Sequence, residues 1–548
     1  MKIKIEALSS YLICVGFLII YSLTLAWGLP QKLDADEYIF VFAAMEMFSP
    51  PYLHPGWFGA PASTLIDLLA LVYGLIAMLG TAVGYYDNVQ EFTNILWLED
   101  GQIHYVLGRF ISALFAVFCL FLTYKISRKF TSFSIALCAM ILCGFSYQFV
   151  YYSAVIRMDM IQVFSLLVCA YYCICLIEKN CISRKDTITL GLFFAISVFS
   201  KYPSITFVVP IIYTYVLVAE NFKDALIKFF TFGCAVCFFS FLISPYFFLD
   251  FSSVLSDVVK ESRSYSLSAT SLGFWASISQ YYTYSLRQSF GILALVIGSF
   301  GALLMLKNKS GHVILLSILP YLIFISSLSL WWNRWVLPII PFFAILVAIG
   351  LHYCVMKTKF RPILYLVIPA TILLTFHNIS LSSQLIKIRA QNNITQVVAL
   401  KWIEVNIPQG SSIILDRGAP QMKGTQYSLY ERDCKFGLAL IGSEQHIAKR
   451  PQAKMELNRC ETDVNPEMPS VSVSKNLFQQ SVDLIQPEYL VRSNLYERYL
   501  KDIELGTTSK STLSEYEFLF QNYTEIKAII PSDKLFGPAI RIYKRETQ

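Results

Sequence analysis

The chain has 548 residues, of which 55% are apolar and 15% aromatic, with a formal net charge of +7 and a mean hydropathy of +0.54. That composition describes a chain whose main solvent is lipid, so it reads as a polytopic membrane protein and not as a soluble enzyme. The positive charge does not point to nucleic acid, because Lys and Arg are mostly short flanks of apolar runs, where they set orientation.

In chain order, Lys2 and Lys4 precede an apolar run from Tyr11 to Leu29 with no small-residue cleavage signal before Pro30-Gln31. It reads as a retained signal-anchor helix with its amino end in the cytoplasm. An acidic cluster, Asp34-Ala35-Asp36-Glu37, follows on the other side. Further runs long enough to cross lie near 104–124, 132–151, 158–177, 188–200, 204–219, 228–249, 289–306, 312–331, 335–355 and 362–379. With the first, they predict about eleven transmembrane helices. The pair 188–200 and 204–219 flanks Lys201-Tyr202-Pro203 and reads as two short spans meeting in a tight outer turn, since one helix of that length would carry a proline mid-way.

The run from Ala62 to Val83 could also cross, but crossing would invert everything after it. Laid along the outer face, it leaves Lys125, Arg128, Lys129, Lys179, Arg184, Lys185 and the basic flanks at 223–228, 307–309 and 357–361 in the cytoplasm. The loop Gly84–Gly101, with Asp87, Glu91, Glu99 and Asp100 and no Lys or Arg, is then exoplasmic. The positive-inside tendency therefore predicts a horizontal or re-entrant helix here.

Two domains are expected: a membrane domain over 1–380 and a second domain over 381–548. Past Leu381 the sequence becomes ordinary globular sequence, with amphipathic spacing over Val397, Val398, Leu400 and Trp402 and strand-like runs at 412–416, 488–491 and 539–543. It reads as a small α/β unit with a helix near 496–500, and an odd number of spans places it outside. The stretch from Arg450 to Ser474 reads as a long loop. Most of the thirteen cysteines sit in apolar runs as small hydrophobes; Cys434 and Cys460, in polar sequence, either pair or remain thiols.

Four cations, Arg109, Arg157, Lys201 and Arg334, fall at predicted exoplasmic ends of different spans, and Asp159 follows Arg157 closely. Singly, each reads equally well as a snorkelling or paired side chain. Sharing one depth, they read as a site for an anion at the membrane surface, and a lipid-linked phosphate is the simplest such anion. A carboxylate from the acidic cluster supplies the complementary function, accepting a proton from an incoming nucleophile. The cations can neutralise a phosphate unaided, so no metal or other cofactor is predicted. Trp331, Trp332 and Trp335 read as an interfacial belt, His54 as a structural residue of a surface turn, and the loop from about 250 to 288 as either a cover for the site or a connector.

The order of several short motifs resembles the polyprenyl-phosphate-dependent glycosyltransferases of the GT-C type, which include protein O-mannosyltransferases and the lipid A aminoarabinose transferase. The resemblance covers roughly Leu8 to Leu351 and rests on Asp36-Glu37-Tyr38, Leu53-His54-Pro55-Gly56-Trp57-Phe58-Gly59 and Gly108-Arg109-Phe110. It continues through Ile156-Arg157-Met158-Asp159, Ser200-Lys201-Tyr202-Pro203, Ser244-Pro245-Tyr246-Phe247 and Asn333-Arg334-Trp335. It implies a GT-C helical bundle with horizontal helices in the first outer loop. It also implies that Asp36 is the general base in transfer, with inversion, of a sugar from a polyprenyl phosphate. Arg157, Lys201, Arg109 and Arg334 would then hold the leaving phosphate, with Glu37 and Asp159 orienting that network. The chain departs from the family at Ala60-Pro61-Ala62-Ser63 and lacks the outer domain inserted in eukaryotic mannosyltransferases. The resemblance therefore names neither the sugar nor the acceptor, which is a protein, a lipid or a glycan. The rival readings are a transporter or flippase for a lipid-linked saccharide and a non-catalytic scaffold. The expected location is a prokaryotic plasma membrane.

Overall fold

The computed structural model describes residues 2–29, 31, 36–48, 52–56, 58, 63–89, 91–92, 95, 102–261, 270–357, 376, 378–416, 418–420, 422, 426–432, 470–473, 487–494, 497 and 523–546. Asp34, Cys434, Cys460, nearly all of the expected span 362–379, and most of 450–474 and 496–500 lie outside them. Two compact units emerge. The first comprises residues 1–25, 57–79 and 103–386; the second gathers 387–548 with the first-loop segments 26–56 and 80–102.

The first unit is helical around one continuous apolar core. Among the described residues, Ser63–Ala82, Gln102–Ser127, Asp159–Lys179, Phe222–Ile243, Phe274–Met305 and Lys309–Ser327 are long and apolar enough to cross a membrane. Glu6–Ser22, Tyr202–Val218 and Ile339–Val355 are shorter apolar helices. The expected run 132–151 is instead two helices, Phe133–Gly144 and Tyr147–Ser153, bent by 63°. The first helix explains the bend: the Tyr21 hydroxyl donates to the freed Gly144 carbonyl at 2.8 Å, and the Phe17 ring occupies the space where a Gly144 Cβ would stand. The helix Phe222–Ile243 carries Cys234 and Cys237 at C-x-x-C spacing, and both are free thiols.

The helix Ser63–Ala82 is long enough to span, yet its contacts stay at one end of the bundle. Thr64 Oγ1 lies 2.6 Å from Ser200 Oγ, at the last residue of Arg184–Ser200. Leu69 packs at Gly108, and Tyr73 donates to the His104 carbonyl at 2.7 Å. Gly108 and His104 both belong to the opening turns of Gln102–Ser127. These contacts lie at the last residue of one helix and the first two turns of the other, the end of the bundle at which the charge pattern predicts this helix. Its other face, with Leu71, Leu75, Met78 and Leu79, is exposed and apolar.

The expected loop 250–288 contains two helices among its described residues, Phe251–Glu261 and Phe274–Gln280. The first leaves Phe251, Leu255 and Val259 exposed and turns Val254 and Asp257 inward, the outward-facing apolar stripe of a helix lying at a lipid interface. Helix continues from Phe274 to Met305 through a π-helical turn at Tyr281–Leu286. Gly291 interrupts it with φ 76°, a conformation that costs glycine little. The strands Thr270–Ser271 (β1) and Leu330–Trp331 (β2) pair antiparallel.

The helices Arg287–Met305 and Ile339–Lys357 cross backbone to backbone. A Cβ on Gly301 would stand 2.0 Å from the Leu346 carbonyl oxygen, and one on Gly350 would stand 2.4 Å from that of Ile297. Small residues that let helices approach are the main packing device within lipid. Gly301→Ala should therefore destabilise the protein by about 1–3 kcal/mol or more. Thermal unfolding in detergent checks this against Gly233→Ala, where a Cβ meets nothing within 4 Å.

The second unit contains a six-stranded sheet ordered β5-β4-β3-β6-β8-β7. Its strands are Ser412–Leu415 (β3), Ser428–Arg432 (β4), Ser470–Val473 (β5), Tyr489–Arg492 (β6), Tyr523–Ile529 (β7) and Ile540–Arg545 (β8). The first four in space are parallel, and β8 runs antiparallel between β6 and β7. The amphipathic run predicted near 397–402 is the helix Thr395–Asn406, whose Ala399 and Ile403 join the core formed by Ile413, Val491 and Ile542. Segment 26–29 is bound into this unit: the Gly28 amide donates to Asn392 Oδ1 at 2.7 Å, and the Arg389 guanidinium lies 4.1 Å from the centre of the Trp27 ring.

Candidate functional site

Lys201 is placed by a break in the chain. Pro203 has no amide proton, so the helix Arg184–Ser200 cannot continue through it. Lys201 is extended, with φ −161°, and the chain resumes as the 3₁₀ turn Tyr202–Phe207. Both neighbours of Lys201 hold the segment leading into Ser63–Ala82: Ser200 bonds Thr64, and the Tyr202 hydroxyl donates to the Phe58 carbonyl at 3.0 Å. The Phe58 amide in turn donates to the inward-facing Asp257 carboxylate at 3.0 Å. The helix expected to be either a cover or a connector thus grips the same turn as the lysine's neighbour.

Asp159 opens the helix Asp159–Lys179, where the positive end of the helix dipole favours a carboxylate. It is fully buried. Oδ1 accepts from Lys201 Nζ at 2.7 Å, and Oδ2 accepts from Arg157 Nε at 3.3 Å. Arg157 and Lys201 are themselves only 4% and 7% exposed, so the triad is a desolvated ion cluster whose charges must be compensated locally. Arg334 lies within coulombic range of both Asp159 and Lys201 and is stacked on Trp332, 4.2 Å from the ring centre. Two cations thus contact one carboxylate and a third acts on it from farther away, a set of charged donors whose chemistry suits an oxyanion.

Asn333 Nδ2 and Gln148 Nε2 both donate to Gln288 Oε1 at 3.1 Å. This amide bridge ties the residue before Arg334 to the short helix leading to Arg157. It was not legible in the sequence, because an isolated Gln carries no spacing signal.

The expected residues are therefore brought together in part. Arg157, Asp159, Lys201 and Arg334 form one cluster. Arg109 is fully buried in the same unit and donates through Nη1 to the Leu25 carbonyl at 2.7 Å, satisfying a backbone acceptor just past the first helix. Asp36 and Glu37 belong to the second unit. Asp36 is the half-buried N-cap of the helix Glu37–Glu46 and makes no side-chain capping bond; Glu37, in its first turn, is fully buried. The His54 ring accepts the Gly56 amide at 3.0 Å, as a structural turn residue does.

The fold has counterparts among known structures. The structure of ArnT from Cupriavidus metallidurans in the apo state aligns over 98% of both chains with 11% identity and a TM-score of 0.52. ArnT bound to undecaprenyl phosphate aligns over 97% of both with 10% identity and a TM-score of 0.51. The chain has the GT-C fold. Within it, residues 101–248 match the family model described as dolichyl-phosphate-mannose-protein mannosyltransferase, so the match includes Arg109, Arg157, Asp159 and Lys201. The resemblance to polyprenyl-phosphate-dependent GT-C glycosyltransferases thus extends from short motifs to the fold. No curated protein matches the sequence.

Proposed function

We propose that the chain is an inverting glycosyltransferase that moves a sugar from a polyprenyl phosphate to an acceptor on the exoplasmic face of a plasma membrane. The observation that carries this reading is the ion cluster in which the buried Arg157 and Lys201 share the Asp159 carboxylate, with the half-buried Arg334 within coulombic range. Asp36 acts as the base and takes the proton of the acceptor hydroxyl or amine. The acceptor attacks the anomeric carbon from the face opposite the phosphate. The bond from that carbon to the phosphate oxygen breaks, and polyprenyl phosphate leaves with both electrons of that bond. Arg157, Lys201 and Arg334 stabilise the added phosphate charge, which develops mainly in the transition state. Arg109 contributes its charge while holding the end of the first helix, and Asp159 and Glu37 act as orienting groups. In this reading the cations supply the neutralisation that a divalent ion would otherwise provide.

The test is turnover of defined polyprenyl-phosphate sugars by the purified full chain, read as release of polyprenyl phosphate and capture of the sugar. Arg334→Gln should reduce kcat/KM by at least tenfold, the loss of one charge-assisted phosphate contact of about 1.5–3 kcal/mol. Chelator treatment should leave the rate unchanged. Movement of intact lipid-linked saccharide across vesicles, with no sugar released from any donor, would replace this reading with that of a flippase.

A further inference from the structure

The end of the helical bundle remote from Asp159 holds a second polar site. A cavity of about 360 Å³ opens there between the first helix and the helices Gln102–Ser127 and Asp159–Lys179. Its charged lining residues are Glu6, Lys125, Arg128 and Lys129, and its walls are the rings of Tyr11, Phe121, Tyr124 and Tyr171. At about 1.5 Å per residue, Lys125 lies about 24 Å along its helix from Arg109, and Tyr171 about 18 Å along its helix from Asp159. Those separations are a large part of the hydrocarbon thickness of about 30 Å, which sets the cavity toward the end of the bundle opposite Asp159.

The ion pairing here is incomplete. Arg128 Nη2 meets Glu6 at 3.1 Å, and its Nη1 donates to the Thr131 carbonyl at 2.9 Å. Lys129 is paired with Glu178. Lys125 has no carboxylate partner among the described residues; its ammonium lies 5.8 Å from the centre of the Phe121 ring, which is itself stacked on Tyr11 at 5.5 Å. A half-open cavity with one cation that has no carboxylate partner among the described residues, a shared guanidinium and aromatic walls suits an anion attached to an apolar body. Basic pockets between membrane helices recognise lipid headgroups by this chemistry.

We propose that this cavity binds a phosphodiester headgroup, that of an anionic membrane phospholipid. Lys125 and Arg128 contact the phosphate, and the Tyr and Phe rings seat the glycerol and the first methylenes of the acyl chains. The site is independent of the proposed transfer reaction and would stand if that reading failed.

Native mass spectrometry of the full chain in detergent, titrated separately with phosphatidylglycerol and phosphatidylcholine, tests it. The wild type should retain one phosphatidylglycerol about fivefold more tightly than Lys125→Gln does, as expected for one basic contact near a membrane surface. Lys125→Arg should restore retention, and phosphatidylcholine should not distinguish the variants. Lys307→Gln, at another exposed basic flank, should behave as wild type. Equal phosphatidylglycerol retention by wild type, Lys125→Gln and Arg128→Gln would overturn the proposal, as would an equal loss in Lys307→Gln. Displacement of the lipid by equimolar glycerophosphoglycerol would reassign the cavity to a soluble phosphate ester.

Discussion

Asp36→Asn should lower sugar transfer by about 10²–10⁴-fold, the usual contribution of a positioned general base, while donor binding and thermal stability stay close to wild type. Asn keeps the shape of the side chain but loses the negative charge with which Asp36 would take the acceptor's proton. The expected insensitivity of the fold has a structural reason. Asp36 is the N-cap of Glu37–Glu46, and Asn is as good an N-cap as Asp. The measurement pairs single-turnover sugar transfer with retention of labelled donor and a melting curve on the same preparation. Transfer within a few-fold of wild type would remove Asp36 from the role of base. Loss of donor binding together with transfer would instead place it among the groups that hold the substrate.

The features legible in the sequence are those that lipid imposes one residue at a time. A charge at the edge of hydrocarbon needs a partner or a ligand, and that rule alone selected Arg157, Asp159, Lys201 and Arg334, which the fold brings into one cluster. The basic flanks likewise required Ser63–Ala82 to keep to one end of the bundle, where Thr64, Leu69 and Tyr73 make their contacts. What the sequence left unread depends on pairs of residues far apart in the chain. Nothing near Gly144 announces a bend, because its cause is Tyr21. The inward turn of Asp257 has meaning only once its partner, the Phe58 amide, is known. The helix Phe251–Glu261 resembled a loop because Phe251, Leu255 and Val259 are exposed while Asp257 faces inward beside Val254, which departs from the pattern of a helix in a soluble protein. For Arg109 the tertiary fold revealed the Leu25 carbonyl as a partner.

Asp159→Asn should cost about 3–5 kcal/mol of stability, because it leaves the buried Lys201 and Arg157 without their shared carboxylate. That is a large share of the roughly 5–15 kcal/mol that holds an ordinary domain together, so the variant should melt far below wild type. Adding Lys201→Met should recover part of the loss, since the double variant no longer buries an ammonium group 2.7 Å from a site without its anion. A double-mutant cycle measures this coupling. The same variants connect stability to the proposed chemistry. A ligand that binds only the folded state stabilises it by about 2.7 kcal/mol at a hundredfold excess over its Kd. Polyprenyl phosphate should therefore raise the melting temperature of wild type, and raise that of Asp159→Asn further, because its phosphate can stand in for the missing carboxylate between Arg157 and Lys201. An uncharged polyprenol should do neither. If polyprenyl phosphate shifts neither protein, the cluster serves only the fold, and the anion it was proposed to receive binds elsewhere.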